Sequence, residues 1–352
     1  MPGRFSVALP VVSRERIEET LAARWGLRGT FVPLNGERDL NFRVLVRGQP
    51  EGRSRVFKIC NASEDASMLE CQEQVLARMA ALDGLEFPRV VPTVDGESRA
   101  TIRTDDGGLH LCRLTSWVDG RLFSGVNPRG ATLHRSLGQC IARVDQALQD
   151  FRHPAQERRM PWDLCRGVEV LEAYRLPDTD PGREDLIAGF TTLYRDRVLT
   201  VSDTLRRGAI HNDANDNNIL IGLPAGTNER VCGLIDFGDI LYGWLVSDVA
   251  IACAYAMLDN DNPLDIAADI VAGYHEQHPL LPEEVGVVFP LACIRLCLSV
   301  CIAFHHQIVE PENSYLGIGT MSSWRMLEIL SEVPPDYPTQ LFRDRCGLRI
   351  QS

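Results

Sequence analysis

The chain has 352 residues, of which 45% are hydrophobic and 24% charged, a composition and length typical of a globular protein with two lobes. Its formal net charge of −12 argues against a basic surface for a phosphate backbone, so we expect no nucleic-acid partner. The eleven cysteines include no CxxC pair, which indicates reduced thiols and a cytoplasmic protein rather than a disulfide-rich secreted one.

The first third of the chain is predicted to be β-rich. Ser13 begins an amphipathic helical pattern, and a second helical period follows at residues 67–82. Turn signals separate five β-rich runs: 29–34, 41–48, 54–60, 100–104 and 109–118. We place the boundary of this first lobe, residues 1–118, before Asp119-Gly120.

The remainder, residues 119–352, is predicted to be mostly helical. Helical patterns cover 130–150, 163–174, 183–206, 246–259, 264–277 and 284–308, and short strands are predicted at 219–221 and 232–236. The expected fold class is therefore α+β, with a β-rich N-lobe that has one helix and a larger, mostly helical C-lobe. A small ligand is expected between two such lobes.

The sequence gives no indication of membrane insertion. We find no apolar run that approaches the roughly 20 residues of a membrane helix. The apolar patch near the N-terminus is short, is broken by Pro10 and is followed by charged residues, so it is not a signal peptide. We expect a soluble, cytoplasmic protein with no membrane partner.

One stretch, residues 210–221, concentrates polar side chains in the sequence IHNDANDNNILI. A calcium loop of the EF-hand type starting at Asp213 would need Gly at position 6 and Glu at position 12, where the chain has Asn218 and Pro224, so that alternative fails. His-x-Asp with an Asn five residues later, followed downstream by Asp236 in IDFG, instead matches the requirements of phosphoryl transfer.

Each of these residues has a predicted role. Asp213 is the predicted catalytic base, which orients the acceptor hydroxyl and takes its proton. Asn218 and Asp236 are predicted to hold Mg²⁺ across the nucleotide phosphates, because a β-hairpin between them would bring an amide oxygen and a carboxylate to one ion. His211 is expected to hold the loop by hydrogen bonds.

The N-lobe supplies candidates for the nucleotide. Lys58 lies in the third strand, where a kinase-like fold has its phosphate-binding lysine. Its ion-pair partner is expected from the helix that follows, where Glu70 and Glu73 are both available and Glu73 is taken as the candidate. The loop after the first strand has a single glycine, Gly36, where protein kinases have three, and Asn41 is a further candidate for nucleotide binding.

The segments HNDANDNNIL and IDFGD resemble the aminoglycoside phosphotransferase and choline kinase superfamily. Within it, DLNFRV at 39–44, WVDGRLF at 117–123 and PWDL at 161–164 resemble the hydroxylysine kinase-like family. The resemblance implies a protein-kinase-like fold, Mg²⁺, ATP or GTP as co-substrate, and a small amino-alcohol or amino-acid acceptor, most closely a hydroxylysine-like one.

The resemblance also implies roles for one further segment and one further residue. Backbone groups from Ser116 to Val118 would face the purine between the lobes. Asp248 would brace the catalytic loop from below. Both roles come from the family pattern and not from the local sequence.

Several alternatives stay open. Asp216 lies in the loop but off the metal positions, and it either pairs with the ammonium of the acceptor or is a solvated turn residue. Four aromatic residues are candidates for an acceptor pocket, with core packing favoured for each: Trp162, Trp244, Tyr255 and His305. The same fold would also serve an aminoglycoside, homoserine or choline-type kinase, or a nucleotide-binding pseudokinase. The choice of ATP or GTP and the oligomeric state are not indicated.

Overall fold

The computed structural model describes residues 9–36, 39–50, 53–127, 129–176, 181–222, 229–309 and 320–348. The chain divides between Asp119 and Gly120 into an N-terminal and a C-terminal unit. The predicted boundary lies one residue earlier. The N-terminal unit is β-rich and the C-terminal unit is mostly helical, in agreement with the predicted α+β fold class.

An antiparallel five-stranded sheet forms the centre of the N-terminal unit. In the spatial order β1-β2-β3-β5-β4 its strands are β1 (Gly29–Leu34), β2 (Leu40–Val46), β3 (Arg55–Ile59), β5 (Leu109–Ser116) and β4 (Ala100–Arg103). Phe57 of β3 lies opposite Phe42 on one side and Leu114 on the other. Because Phe57 and Leu114 are fully buried, this face of the sheet forms the core of the unit.

The described residues of the N-terminal unit contain two helices, α1 (Arg14–Trp25) and α2 (Ala66–Met79), which correspond to the helical patterns predicted from Ser13 and over 67–82. The expected fold class counted one helix in this lobe, but α1 belongs to it as well, because its apolar side chains are buried in the core of the sheet. The ring of Trp25 meets that of Phe57 edge-on at 5.6 Å between centroids. The segment that begins at Ser13 is therefore part of the lobe rather than an extension of it.

The described part of the C-terminal unit contains eight α-helices: α3 (Ala131–Leu148), α4 (Gly167–Ala173), α5 (Pro181–Arg197), α6 (Val246–Met257), α7 (Pro263–Gln277), α8 (Pro282–Val309), α9 (Thr320–Ser331) and α10 (Tyr337–Arg345). The first six correspond to predicted helices, with α4 and α5 shorter than expected because short 3₁₀ segments replace one end of each. The sequence analysis did not predict α9 and α10.

Short antiparallel strands in the C-terminal unit frame the polar loop. They are β6 (Arg121–Leu122), β7 (Arg207–Ile210), β8 (Ile219–Ile221), β9 (Val231–Leu234) and β10 (Leu241–Trp244). One sheet has the order β6-β8-β9, and β7 pairs with β10. Strands β8 and β9 confirm the two predicted short strands, and together they form the expected hairpin.

Helices α3 and α7 cross in close contact because each presents a glycine at the crossing. A Cβ atom on Gly138 of α3 would lie 1.9 Å from the carbonyl oxygen of Ile270, and one on Gly273 of α7 would lie 2.1 Å from the carbonyl oxygen of Arg135. No larger side chain fits either position without moving a backbone.

Helix α8 corrects one expectation. Residues Pro282–Ile308 are long and apolar enough to cross a membrane by length and composition, although the sequence analysis found no such segment. In this fold 83% of its most apolar window is buried inside the protein, as in the core helix of a soluble protein. The apolar character of α8 therefore serves packing between helices, and Arg295 is a charged residue in its middle.

Candidate active site

The polar loop, residues 211–218, connects β7 to β8 and is anchored at its start by Asp248. This buried carboxylate at the start of α6 accepts hydrogen bonds from the backbone N–H groups of His211 and Asn212, both at 2.7 Å. Asn212 has a φ of 65°, a left-handed conformation that Asn adopts more readily than most residues. Asp248 therefore fixes the turn from which Asp213 projects.

His211 holds the same loop through both ring nitrogens. Its Nε2 donates to the carbonyl oxygen of Ile235 at 3.1 Å, and its Nδ1 accepts the backbone N–H of Asp213 at 3.2 Å. The ring is fully buried and packs edge-on against Phe237 at 4.6 Å between centroids. Burial lowers the pKa of His211, which keeps the ring neutral, as this pattern of one donor and one acceptor requires.

Asp213 is surrounded by donors on both carboxylate oxygens. Oδ2 accepts from the side-chain amides of Asn218 at 2.8 Å and Asn215 at 3.0 Å. Oδ1 accepts from Nη2 of Arg295 at 2.9 Å. Burial raises the pKa of Asp213; the positive charge of Arg295 opposes that rise and the nearby carboxylates of Asp239 and Asp236 reinforce it.

Asn218 and Asp236 lie before and after the β8–β9 hairpin, at the same end of it. The nitrogen of the Asn218 amide donates to the backbone oxygen of Asp213 at 2.9 Å as well as to its carboxylate, so the amide oxygen is the atom of this side chain that could bind a metal ion. The carbonyl oxygen of Asn218 accepts the N–H of Ile235 at 2.9 Å, so the residue before Asp236 is fixed beside Asn218.

The structure thus brings Asp213 and Asn218 into contact and places Asp236 at the adjacent turn. Asp236 has a φ of 60°, and its Oδ1 accepts the N–H of Gly238 at 3.2 Å. Within the described ranges, no group of three or more His, Cys, Asp or Glu side chains is arranged to hold a metal. One amide oxygen and one carboxylate nevertheless fit the manner in which Mg²⁺ binds when nucleotide phosphates and water complete its shell.

Arg295 is a site residue that the sequence analysis missed. It lies on α8, is 1% exposed, and is stacked on the ring of Trp162 at 4.4 Å from its centroid. Its Nε donates to the hydroxyl of Tyr255 at 3.2 Å. A single arginine in the middle of an otherwise apolar helix was the available signal, because a buried guanidinium requires a partner.

A second buried carboxylate lies behind Asp248. Asp145 of α3 accepts a hydrogen bond from the hydroxyl of Tyr274 of α7 at 2.6 Å. Burial and the neighbouring charge of Asp248 raise the pKa of Asp145 well above its ordinary value, which favours protonated Asp145 as the hydrogen-bond donor to Asp248. This chain of hydrogen bonds connects the α3–α7 crossing to the catalytic loop.

In the N-terminal unit, the lysine pairs with a different acid from the one predicted. Nζ of Lys58 lies 3.1 Å from Oδ2 of Asp39, and both side chains are largely buried. Glu73 of α2 instead lies 3.6 Å from Arg99 and accepts the hydroxyl of Ser98 at 2.8 Å. The predicted pairing of Lys58 with Glu73 is therefore wrong, because α2 directs that glutamate to the segment before β4.

Asp39 is itself held in place by hydrogen bonds. Its Oδ1 accepts from the backbone and side-chain nitrogens of Asn61 at 2.9 and 3.0 Å. Although burial would raise its pKa, the charge of Lys58 and the bonds from Asn61 lower the pKa of Asp39 below its ordinary value. Asp39 is therefore ionised opposite the lysine.

Asn41 and Gly36 lie next to this ion pair. Asn41 is opposite Lys58 in the β2–β3 register, and its Oδ1 is buried without a hydrogen-bond partner. A Cβ atom at Gly36 would lie 2.4 Å from Nδ2 of Asn41 and 2.6 Å from the carbonyl oxygen of Asp39. The single glycine of this loop is thus needed for the close approach of the loop to β2.

In the segment predicted to face the purine, two backbone N–H groups already form hydrogen bonds within the N-terminal unit. The backbone N–H of Ser116 donates to the carbonyl of Arg89 at 2.8 Å, and that of Trp117 donates to Ser54 at 3.1 Å. The backbone nitrogen of Ser116 is therefore not a donor for a purine, which leaves that of Val118 as the candidate.

Asp216 is partly buried in the loop after Asp213. Burial raises the pKa of its carboxylate, and the positive charge of Arg129 opposes that rise. The backbone oxygen of Asp216 accepts the N–H of Ser124 at 2.9 Å, which fixes the main chain at this point. The structure therefore places the carboxylate near a cation and does not assign it to either predicted role.

Comparison with known proteins identifies a matching family, a similar curated protein and two similar solved structures. The model of the phosphotransferase enzyme family matches residues 32–284 of this chain. The hydroxylysine kinase of Mus musculus is 28% identical over 345 residues, which cover 93% of this chain and 91% of the mouse protein.

Among solved structures, a microcompartment-associated aminopropanol kinase superposes with a TM-score of 0.68 at 16% identity, covering 96% of this chain and 99% of its own. The amicoumacin kinase hAmiN, solved in complex with AMP-PNP, Ca²⁺ and Ami, superposes with a TM-score of 0.66 at 15% identity, covering 92% and 95%. At such identities the superpositions show a shared fold.

Proposed function

Since this chain belongs to the phosphotransferase enzyme family, we propose that it transfers the γ-phosphoryl group of ATP or GTP to the hydroxyl of an amine-containing metabolite, with 5-hydroxylysine as the leading acceptor. The protein-kinase-like fold and the assignment as a small-molecule kinase are confirmed. The acceptor, the nucleotide, the metal and the residue roles are the content of the proposal.

The observation that carries the proposal is the arrangement around Asp213. Its carboxylate is oriented by Asn218, Asn215 and Arg295 and is still 21% exposed, so a hydroxyl can reach it. In the proposed step the acceptor oxygen attacks the γ-phosphorus while the bond to the bridging oxygen breaks and its electron pair leaves with the nucleoside diphosphate. The proton of the acceptor hydroxyl passes to Asp213.

Asn218 and Asp236 are the residues that would hold Mg²⁺. When bound, the ion neutralises charge on the phosphate oxygens. Lys58, held by Asp39, would contact the phosphates with its ammonium group, and Asn41 and the Val118 backbone would contact the nucleotide. Asp216 would face the amine of the acceptor.

Two names among the similar proteins support an amine-bearing acceptor. The mouse relative is a hydroxylysine kinase, and one structural neighbour is an aminopropanol kinase. Both names describe acceptors that combine a hydroxyl with an amine. A coupled assay of ADP or GDP release over hydroxylysine, homoserine, choline and an aminoglycoside tests the proposal. We expect the highest kcat/KM for hydroxylysine. If none of the four acceptors is phosphorylated, the proposal is contradicted.

Asp213→Asn is expected to lower kcat by about 10²- to 10⁴-fold, the usual contribution of general acid–base catalysis. Nucleotide binding, measured by calorimetry, is expected to be unchanged. Asp216→Asn is the matched control in the same loop: it should raise KM for an amine acceptor with little effect on kcat. Equal loss of kcat in the two variants would remove Asp213 from the role of base.

Asp236→Ala is expected to abolish the dependence of nucleotide affinity on Mg²⁺, because it removes the carboxylate of the two-residue metal site. Titration of the nucleotide with and without the ion, in the wild type and the variant, measures this dependence directly. If Mg²⁺ increases the nucleotide affinity of the variant as much as that of the wild type, the assignment of Asp236 to the metal site is contradicted.

A further inference from the structure

Asp213 receives one of its hydrogen bonds from a residue that lies far away in sequence. Arg295 lies 82 residues downstream, in the long apolar helix α8, and its Nη2 donates to Oδ1 of Asp213 at 2.9 Å. A buried arginine requires an explanation, because removing a guanidinium from water costs several kcal/mol that a partner must offset.

The guanidinium of Arg295 is held on several sides. Trp162 and Tyr255 place their rings 4.4 Å and 5.5 Å from it, Tyr255 accepts from its Nε, and only 2% of the side chain is exposed. A cation confined in this way has a fixed position and orientation. Its bond to Asp213 therefore constrains the carboxylate and is not a loose surface pair.

The hydrogen bonds of Asp213 can be counted by oxygen. An ionised carboxylate offers about four lone-pair sites, two on each oxygen. Asn215 and Asn218 take both sites on Oδ2, and Arg295 takes one on Oδ1. One site on Oδ1 is therefore left for the hydroxyl of an acceptor.

From these contacts we infer that Arg295 is a positioning residue for phosphoryl transfer: it fixes Oδ1 of Asp213 so that a single lone-pair direction receives the acceptor hydroxyl. The inference rests on the proposed function and adds to it the element that orients the base. Arg295 acts through Asp213 and does not itself contact the reacting atoms.

The competing explanation is purely structural. In that case the ion pair would attach α8 to the catalytic loop, and its loss would lower stability while kcat stayed the same. The chain offers a matched control for this effect. Arg206 forms a similar pair with Glu284 of the same helix, with Nε to Oε1 at 2.8 Å, and Glu284 is fully buried. Arg206 does not bond to Asp213 and has no proposed part in the reaction.

The experiment compares Arg295→Met, Arg295→Lys and Arg206→Met with the wild type, using the best acceptor of the screen. Arg295→Met should lower kcat about 100-fold, as expected when a reacting group is misplaced by about 1 Å, with KM for the nucleotide little changed. Arg295→Lys should recover part of kcat, because lysine keeps the charge but lacks the planar fork. Arg206→Met should lower Tm and leave kcat unchanged.

Two further measurements keep the inference testable if Arg295→Met folds poorly or if the wild type proves inactive. Tyr255→Phe removes one acceptor of the guanidinium and keeps the ring, so it should give a smaller loss of kcat in a stable protein. Crystal structures of the wild type and Arg295→Lys should show Asp213 in different rotamers or with weakened density in the variant.

The outcomes separate the two proposals. An active wild type whose kcat is retained in Arg295→Met, with only Tm lowered, overturns the positioning role and leaves the proposed function intact. A wild type that phosphorylates no acceptor overturns the proposed function, and the rotamer of Asp213 in the two crystal structures then decides the inference. An unchanged rotamer of Asp213 in Arg295→Lys would contradict the positioning role of Arg295. An unchanged kcat in Tyr255→Phe would also contradict it.

Discussion

Two charged side chains with proposed catalytic roles are each paired within their own unit. Lys58 is paired with Asp39 at 3.1 Å, and Asp213 is paired with Arg295 at 2.9 Å. All four side chains are at most 21% exposed, so solvent and salt screen these pairs less than pairs at the surface. Asp39 should therefore affect function through Lys58, and Arg295 should affect it through Asp213.

The variant Asp39→Asn tests whether Asp39 affects nucleotide binding through Lys58. The substitution keeps the shape and the hydrogen bonding to Asn61 but removes the charge opposite Lys58, so the ammonium loses its fixed position. We expect the Kd for a non-hydrolysable nucleotide to rise by about tenfold, the effect of losing one hydrogen bond to a charged group. Calorimetry at constant Mg²⁺ measures the change.

Glu73→Gln is the comparison for that experiment, since the helix glutamate was the partner expected from the sequence. It should leave the Kd close to that of the wild type because Glu73 contacts Arg99 and Ser98. A larger rise in Kd for Glu73→Gln than for Asp39→Asn would restore the glutamate as the partner of Lys58.

Prediction from sequence was effective at the residue scale where the motif is local. Asp213 and Asn218 are five residues apart, and the loop that contains them makes its own contacts, so the spacing alone predicts their proximity. The partners of Lys58 and Asp213 depend on tertiary structure. Nothing in the local sequence shows that α2 turns Glu73 toward Arg99, or that α8 brings Arg295 to the loop.

At the scale of helices, the crossing of α3 and α7 supports the catalytic loop from behind. Gly138 and Gly273 allow the two backbones to touch, and this brings the hydroxyl of Tyr274 to Asp145. Asp145 in turn meets Asp248, which holds the loop. The hydrogen-bond chain therefore depends on two positions where only a hydrogen atom fits.

The protonated state of Asp145 predicts a pH dependence of stability. The folded-state pKa is raised, so the stability that this acid contributes is present below its unfolded pKa of about 3.9 and is lost as pH rises toward the folded value. Asp145→Asn is neutral at every pH. The free energy of unfolding of the wild type, relative to this variant, should therefore decrease as pH rises above about 3.9 toward the raised folded pKa of Asp145.

Urea unfolding over that pH range measures the difference. Asp248→Asn serves as the contrasting variant: it should be destabilising throughout, because it removes the charged acceptor of two backbone N–H groups. Curves for the wild type and Asp145→Asn that stay parallel across the range would mean that Asp145 is ionised in the folded protein.

At the scale of the whole molecule, the reactivity of the eleven cysteines tests the packing inside both units. None forms a disulfide, eight are buried, and Cys165, Cys232 and Cys346 are partly exposed. Burial raises the pKa of Cys60 and Cys165 to about 12 and that of Cys346 to about 11. Their thiolate fractions at neutral pH are therefore very small.

We expect an aromatic disulfide reagent to label at most the three partly exposed thiols of the folded protein rapidly, and all eleven after denaturation. The slow labelling of the buried eight should follow unfolding, and mass spectrometry of the digested protein would assign each modified residue. Rapid labelling of Cys293 or Cys297 in the native protein would show that α8 is not packed as described.

The division into a β-rich and a helical unit was predictable because it follows from periodicity, which a single sequence displays. Two C-terminal helices, α9 and α10, were not recognised; both are short, and helices of this length depend on packing against the rest of the unit for their formation. The length and composition of α8 do not decide between a core helix and a membrane helix, since an apolar helix of that length has the same composition in both.

The position of Arg295 has a consequence for synthesis of the protein. Translation releases Asp213 and the hairpin that follows it well before α8, and 82 residues separate the carboxylate from its guanidinium. At roughly 5–20 residues per second this interval lasts about 4–16 s. During that time a nascent chain has the complete loop motif but lacks the guanidinium that bonds to Asp213, so under the proposed positioning role we expect Asp213 to be oriented only after α8 has left the ribosome and packed.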